Sequence, residues 1–196
     1  MKSLAIMPIC ILLISGYLQG QSPNRYEKIM IATDYDNIYL RLDLKRAPVT
    51  SKNFLRYIDS KMFVDACFYR VVRNDNQPNN KIKIEVIQGG RYKNEDTGFP
   101  PIIHETTNIT GIFHKNGTIS MARSEPGTAT SEFFICIGDQ PELDFGGKRN
   151  PDGQGFAAFG KVVKGMRIVK KIHSNEAPEQ YLVNPVTIKE ISRVAE

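Results

Sequence analysis

The sequence predicts a mainly-β protein, either a sandwich or a closed barrel, and three observations carry that expectation. Short β-rich runs recur along the chain: "KIMIAT", "NIYLRLD", "CFYRVV", "KIKIEVIQ", "GTISMA", "EFFICIG", "GFAAFGKVV" and "NPVTIKEISRV". Helical patterning appears in only two stretches, one early and one late. The strands do not alternate regularly with helices, as a parallel α/β sheet would require. Closure into a barrel would also remove exposed strand edges.

The elements can be justified in order. "KIMIAT" and "NIYLRLD" are separated by "DYD" and read as a hairpin. In the second run Ile38, Leu40, Leu42 and Leu44 alternate with Tyr39, Arg41 and Asp43, so one face is buried. "APVTSKNFLRYIDSK" is the first helix, with Pro48 suited to its first turn and Phe54, Leu55 and Ile58 forming its apolar stripe. "CFYRVV" and "KIKIEVIQ" are strands. The polar run between them, Arg73 to Lys81, contains "NDNQPNN" and reads as a loop that bulges outward. A Gln-Gly-Gly turn follows. From Gly89 to Asn116 the chain is rich in Gly, Pro, Thr and Asn and is expected to be mostly loop. "GMRIVKKIH" is the second helix, and "NPVTIKEISRV" a closing strand.

Length and composition fit one domain plus a targeting segment. The chain has 196 residues, 41% hydrophobic and 24% charged, enough apolar material for a core. The net charge of +5 is modest. Basic residues such as Lys161, Lys164, Arg167, Lys170 and Lys171 are spread along the chain, which reads as a solvated face and not a nucleic-acid patch. At the N-terminus Lys2 precedes an apolar run from Leu4 to Leu18 and then Gly20. That is the pattern of a signal peptide, and the run is shorter than the roughly 20 residues a spanning helix needs. A signal peptide over residues 1–20 and a mature domain over 21–196 are expected, giving an exported protein, periplasmic or secreted, without stable membrane insertion after cleavage. The mature chain then holds Cys67 and Cys136, both in apolar runs where buried thiols are natural, although an exported protein could pair them.

Common catalytic constellations are absent: no G-x-S-x-G, H-E-x-x-H, C-x-x-C or phosphate loop occurs. His104, His114 and His173 lack metal-ligand spacing and read as loop or helix-surface residues, so neither metal nor cofactor is expected. Asn108 and Asn116 head sequons that matter only in a host that glycosylates exported proteins.

Four stretches remain: "FYRVV" with Arg70, "VIQGG" with Gln88, "GTISMAR", and "SEFFICIGDQPELDFGG". In this order and spacing, with "APVTSKNF" before them and "FAAFGKVVKGM" after them, the chain resembles the cyclophilins from about Ile29 to Ile191. The resemblance implies an eight-stranded antiparallel β-barrel with a helix over each open end. It also implies cis/trans isomerisation at X-Pro bonds, acting on proline-containing peptides and folding proteins as a monomer. An amide resists rotation because its nitrogen lone pair is delocalised, with a barrier of about 18–20 kcal/mol. A catalyst must hold the proline ring and favour a twisted amide, which a fixed cation donating toward the nitrogen can do. Arg70 matches the family's catalytic arginine, and Gln88 the glutamine that helps place it. Val86, Met121, Phe134 and Leu143 would form the proline pocket, while Ala122 and Arg123 would grip the peptide through their backbone. Strand alternation puts Phe133 and Phe134 on opposite faces, one for the core and one for the groove.

The chain departs from the family pattern at several of these places. Glu85 stands where a phenylalanine is common, Val86 for methionine and Glu132 for glutamine. Phe156 occupies a place often held by histidine or tyrosine, and Glu142 the place of a tryptophan. If Glu85 and Glu132 flanked Arg70, they would ion-pair with it; alternatively the long insertion displaces Glu85 and Ile84 fills its space. The leading reading is an exported prolyl isomerase. The alternative is a catalytically weak peptide-binding or chaperone module using the same groove.

Overall fold

The computed structural model describes residues 24–92 and 98–194. The expected signal peptide, residues 1–20, lies outside the described residues.

Eight strands close into an antiparallel barrel in the order β1-β2-β7-β5-β6-β4-β3-β8, with β8 returning to β1. They are β1 Tyr26–Thr33, β2 Asn37–Asp43, β3 Cys67–Val72, β4 Val86–Gly90, β5 Thr118–Met121, β6 Phe133–Cys136, β7 Ala157–Lys164 and β8 Tyr181–Arg193. The helices are α1 Pro48–Asp59, α2 Thr107–Thr110 and α3 Met166–His173. Of the two architectures left open by the strand pattern, the barrel is the one adopted. One difference lies in β4, which begins only at Val86, so "KIKIE" is not strand and the Gln-Gly-Gly segment ends the strand instead of turning. Another is α2, a single helical turn inside the region expected to be loop.

Inward residues of alternate positions fill the barrel: Ile29, Ile31, Ile38, Leu40, Leu42, Ile87, Ile119, Ile135 and Phe159 are all fully buried. α1 packs Phe54 into this core, edge-on to Phe133 with ring centres 5.4 Å apart and tilted against Phe159 at 5.3 Å. No side chain of α1's own N-cap residue closes its first turn. Glu105, distant in sequence, does so instead: its carboxylate accepts Val49 N–H at 3.1 Å and Thr50 N–H at 2.7 Å. A buried anion at a helix N-terminus is favoured by the exposed N–H groups there. α3 buries Ile168, Val169 and Ile172. It starts after Gly165 at φ 99°, where a Cβ would lie 2.7 Å from the Asn37 carbonyl oxygen, so only glycine fits.

Two readings of polar residues are corrected. His114, in the loop before β5, and His173, on α3, are buried, 1% and 9% exposed, and are not surface residues. His114 spans Asp144 at 2.7 Å and Ser120 at 3.0 Å, and His173 contacts the Val72 carbonyl at 2.9 Å. The polar run after β3 also does not simply bulge outward. Asn76 and Gln77 are buried, and Asn76 donates to the carbonyls of Val71 and Ala177 at 3.0 Å each. Polar side chains can be buried when every donor and acceptor finds a partner. No disulfide joins Cys67 and Cys136.

Candidate active site

A second, smaller apolar cluster forms outside the barrel wall, from Val72, Ile84, Val86, Phe134, Cys136 and Leu143, with Ala122 and Phe156 packed against it. It is the outward counterpart of the core: on β6, Phe133 and Ile135 point in while Phe134 and Cys136 point out. A groove of about 250 Å³ opens over this cluster. It is lined by Val86, Ala122, Phe134, Leu143 and Phe156, together with the hydrogen-bonded pair Arg70 and Gln88 and with Arg123 and Arg149. Phe134 meets Phe156 edge-on at 5.2 Å, giving the groove an aromatic corner. Ile84 lines it too, while Glu85 does not.

A β-bulge puts Arg70 at this groove. The β3–β4 register runs Phe68↔Gly89 and then Arg70↔Gln88, leaving Tyr69 as the extra residue. Phe68 and Val71 therefore both face the core, with Tyr69 and Arg70 excluded between them. Gly89 permits the close pairing, since a Cβ there would stand 2.8 Å from Phe68.

Arg70 is held by two neutral amides. Its Nη1 donates to Gln88 Oε1 at 2.8 Å, and Nη2 donates to Gln180 Oε1 at 2.5 Å. Among the described residues it makes no ion pair with a carboxylate. Burial lowers its proton affinity, but a guanidinium remains charged at neutral pH. Behind Gln88 the hydrogen bonds run in one direction. Gln88 Nε2 donates to the Tyr69 hydroxyl at 2.6 Å, and that hydroxyl donates to Glu132 at 2.6 Å. The carboxylate's other oxygen accepts Arg91 N–H at 2.7 Å. A phenol has one proton, so donation to Glu132 leaves only its oxygen facing Gln88. Gln88 must then turn its NH₂ to Tyr69 and its oxygen to Arg70. Burial holds the Glu132 carboxyl above the usual carboxylate range, and burial with the nearby Glu132 charge pushes the Tyr69 phenol up.

The family model for "Cyclophilin type peptidyl-prolyl cis-trans isomerase/CLD" matches residues 28–193. The chain belongs to the cyclophilin-type isomerases. This cyclophilin is 33% identical over 175 residues to peptidyl-prolyl cis-trans isomerase A of Dickeya dadantii, covering 87% of this chain and 84% of that one. It is 30% identical over 172 residues to peptidyl-prolyl cis-trans isomerase B of Escherichia coli K12, covering 81% of this chain and 97% of the other. Among solved structures, a cyclophilin of Cryptosporidium parvum superposes with a TM-score of 0.70 at 20% identity, covering 87% of this chain and 99% of that chain.

Of the site residues expected from sequence, Arg70, Gln88, Val86, Ala122, Arg123, Phe134, Leu143 and Phe156 meet in the groove. Two sit elsewhere. Met121 faces the barrel core, 1% exposed, because the alternation of β5 turns it inward with Ile119. Glu132 lies behind the groove with Tyr69, and it does not pair with Arg70. The Arg123 side chain is only 1% exposed, locked to Asp152 at 2.8 Å and to the Gly155 carbonyl at 2.6 Å, so the part of this half-buried residue left accessible is its backbone. Sequence reasoning missed Tyr69, Gln180 and Arg149. Tyr69 neighbours Arg70 and could have been found by allowing for a bulge; Gln180, in the loop before β8, carries no local signal.

Proposed function

We propose that this cyclophilin seats the proline of an X-Pro segment on Phe134, Val86, Leu143 and Phe156 and catalyses its isomerisation with Arg70. The observation that carries the reading is a guanidinium fixed by two amide oxygens, unneutralised by any carboxylate of the described residues, at the edge of an apolar groove. As the amide twists, conjugation is lost and the proline nitrogen regains a lone pair. A positioned N–H donor stabilises that pair, and the charge is already oriented before the reaction begins. The planar fork of arginine can also hold the substrate carbonyl, which a lysine would not reproduce. Gln88 keeps the fork in place. No nucleophile, metal or cofactor enters this chemistry.

Export of the mature domain, residues 21–196, is part of the same proposal and rests on the Lys2, Leu4–Leu18 and Gly20 pattern. No helix among the described residues is long and apolar enough to cross a membrane. Folding proteins outside the cytoplasm are the proposed substrates, met by a monomer. A protease-coupled assay on X-Pro tetrapeptides tests the catalytic part. Acceleration well above the spontaneous exchange, which takes tens to hundreds of seconds, is expected from the mature chain alone. A rate equal to the spontaneous one would overturn it.

A further inference from the structure

The inserted run after β3 has a partner in the groove. Arg149 Nη1 donates to Gln77 Oε1 at 3.0 Å and to the Ile82 carbonyl at 2.5 Å. Its own backbone N–H is fixed to the Glu142 carbonyl at 3.1 Å. Arg149 is thus clamped between the insertion and the segment following Leu143, and it lines the same groove as Arg70. The clamp is of the kind that holds Arg70: amide and carbonyl oxygens orient the guanidinium without neutralising it. Arg123, the third arginine of the groove, is different, because Asp152 takes up its charge.

Among the described residues neither Arg70 nor Arg149 has a carboxylate partner. Burial, followed by the charge of Arg70, lowers the proton affinity of Arg149. Two like charges held in one partly desolvated groove repel, and an anion entering between or beside them relieves that cost. A planar guanidinium with free donors matches a carboxylate in particular. An uncharged X-Pro segment would leave the second cation unanswered.

We propose that Arg149, held by the insertion, makes this groove selective for X-Pro segments that carry a carboxylate close to the proline. This rests on the isomerase reading above and names its substrate class. The carboxylate can come from an Asp or Glu side chain or from a free chain terminus; one chemistry serves for both.

Isomerisation of terminally blocked Ala-Ala-Pro-Ala-Ala, measured by NMR exchange without a coupling protease, is compared with versions carrying Glu, or Lys, at each position flanking the proline. A further version has a free C-terminal carboxylate. The expected result is a kcat/KM for at least one carboxylate peptide about tenfold above the neutral one, the scale of one charge-assisted hydrogen bond, with Lys disfavoured at the same place. The Glu and free-terminus arms separate the two sources. Arg149→Gln keeps an amide donor toward Ile82 but removes the charge, and the ratio of acidic to neutral kcat/KM should fall to about 1; Arg149→Lys should retain part of it. On the unmutated chain, raising salt should shrink the ratio. Equal rates for acidic and neutral peptides, or a preference that survives Arg149→Gln, would overturn the proposal. Failure to accelerate any peptide would instead remove the isomerase reading on which it stands.

Discussion

Arg70 and Gln180 stand 110 residues apart in the chain, yet the guanidinium of one donates directly to the side-chain oxygen of the other. With Gln88 on the opposite branch, the fork is held in place while its charge stays available. Replacing Arg70 by Ala should lower kcat/KM by on the order of 10²–10³, the scale for losing one key electrostatic donor, and Arg70→Lys should also be poor. Gln180→Met should lower kcat by about tenfold, with KM moving less, because it loosens the group that acts on the twisted amide. Steady-state kinetics on one tetrapeptide would check both; full activity in Arg70→Ala with an intact fold would sink the mechanism.

The one-way hydrogen bonds from Gln88 through Tyr69 to Glu132 make a pH prediction. Burial raises the Glu132 carboxyl above its ordinary value. The folded state then binds that proton more tightly than the unfolded state, so ionisation favours unfolding. The contribution of Glu132 to stability should fall as pH rises from the unfolded value to the folded one and stay level beyond. Urea unfolding of the natural chain and of Glu132→Gln across the acidic range would show the difference drifting toward the variant as pH rises. A drift the other way would mean that the bonds from Tyr69 and Arg91 outweigh burial.

Tyr69→Phe leaves the ring stack with Tyr92, whose centres are 4.1 Å apart, and removes only the hydroxyl. Gln88 then loses the partner that orients its amide, and the half-buried Glu132 carboxylate loses a donor. Stability should drop by about 1–3 kcal/mol, and kcat/KM by several-fold.

The insertion reads from sequence as an outward-bulging surface loop, which would tolerate deletion, and the burial of Asn76 and Gln77 reverses that expectation. Asn76→Ala should destabilise the fold by about 1–3 kcal/mol, since the carbonyls of Val71 and Ala177 would be left without that donor. Deleting Asn74 to Asn80 should cost more and should also free Arg149. Thermal melts of the two variants provide the measurement; unchanged stability would return the segment to the status of a simple surface loop.

Much of the fold was legible because it is written in local pattern. The alternation in "NIYLRLD" and the Pro48-led apolar stripe specify their elements from neighbours alone. Phe133 and Phe134 divide between core and groove as strand geometry requires. What was illegible depends on long-range pairing. Asn76, Gln77 and His114 look solvent-facing until their partners arrive from residues far along the chain or around the barrel. A bulge at Tyr69 shifts alternation by one residue, and nothing in "FYRVV" announces it. The resemblance puts Met121 in the groove, but the pleat of β5 turns it inward.

Inhibition offers a further test. Glu142 precedes Leu143 in a tight turn, where its carboxylate accepts the Lys148 N–H at 2.8 Å, and the chain has no tryptophan. Cyclosporin, which in sensitive cyclophilins rests against a tryptophan there, would have to desolvate that carboxylate. Activity should therefore resist the drug, and Glu142→Trp should raise sensitivity. Tight inhibition of the natural sequence in a titration would refute this.

The pairing that closes the barrel joins Ile29 on the first strand to Arg193 on the last. β3 likewise pairs Cys67 with Thr187. Neither seam can zip until β8 is available, so this topology defers its own completion until that strand has been made. Loop closure over such separations makes folding slow. If the proposed export carries the chain across a membrane unfolded, that delay keeps the molecule threadable for as long as its last strand is missing.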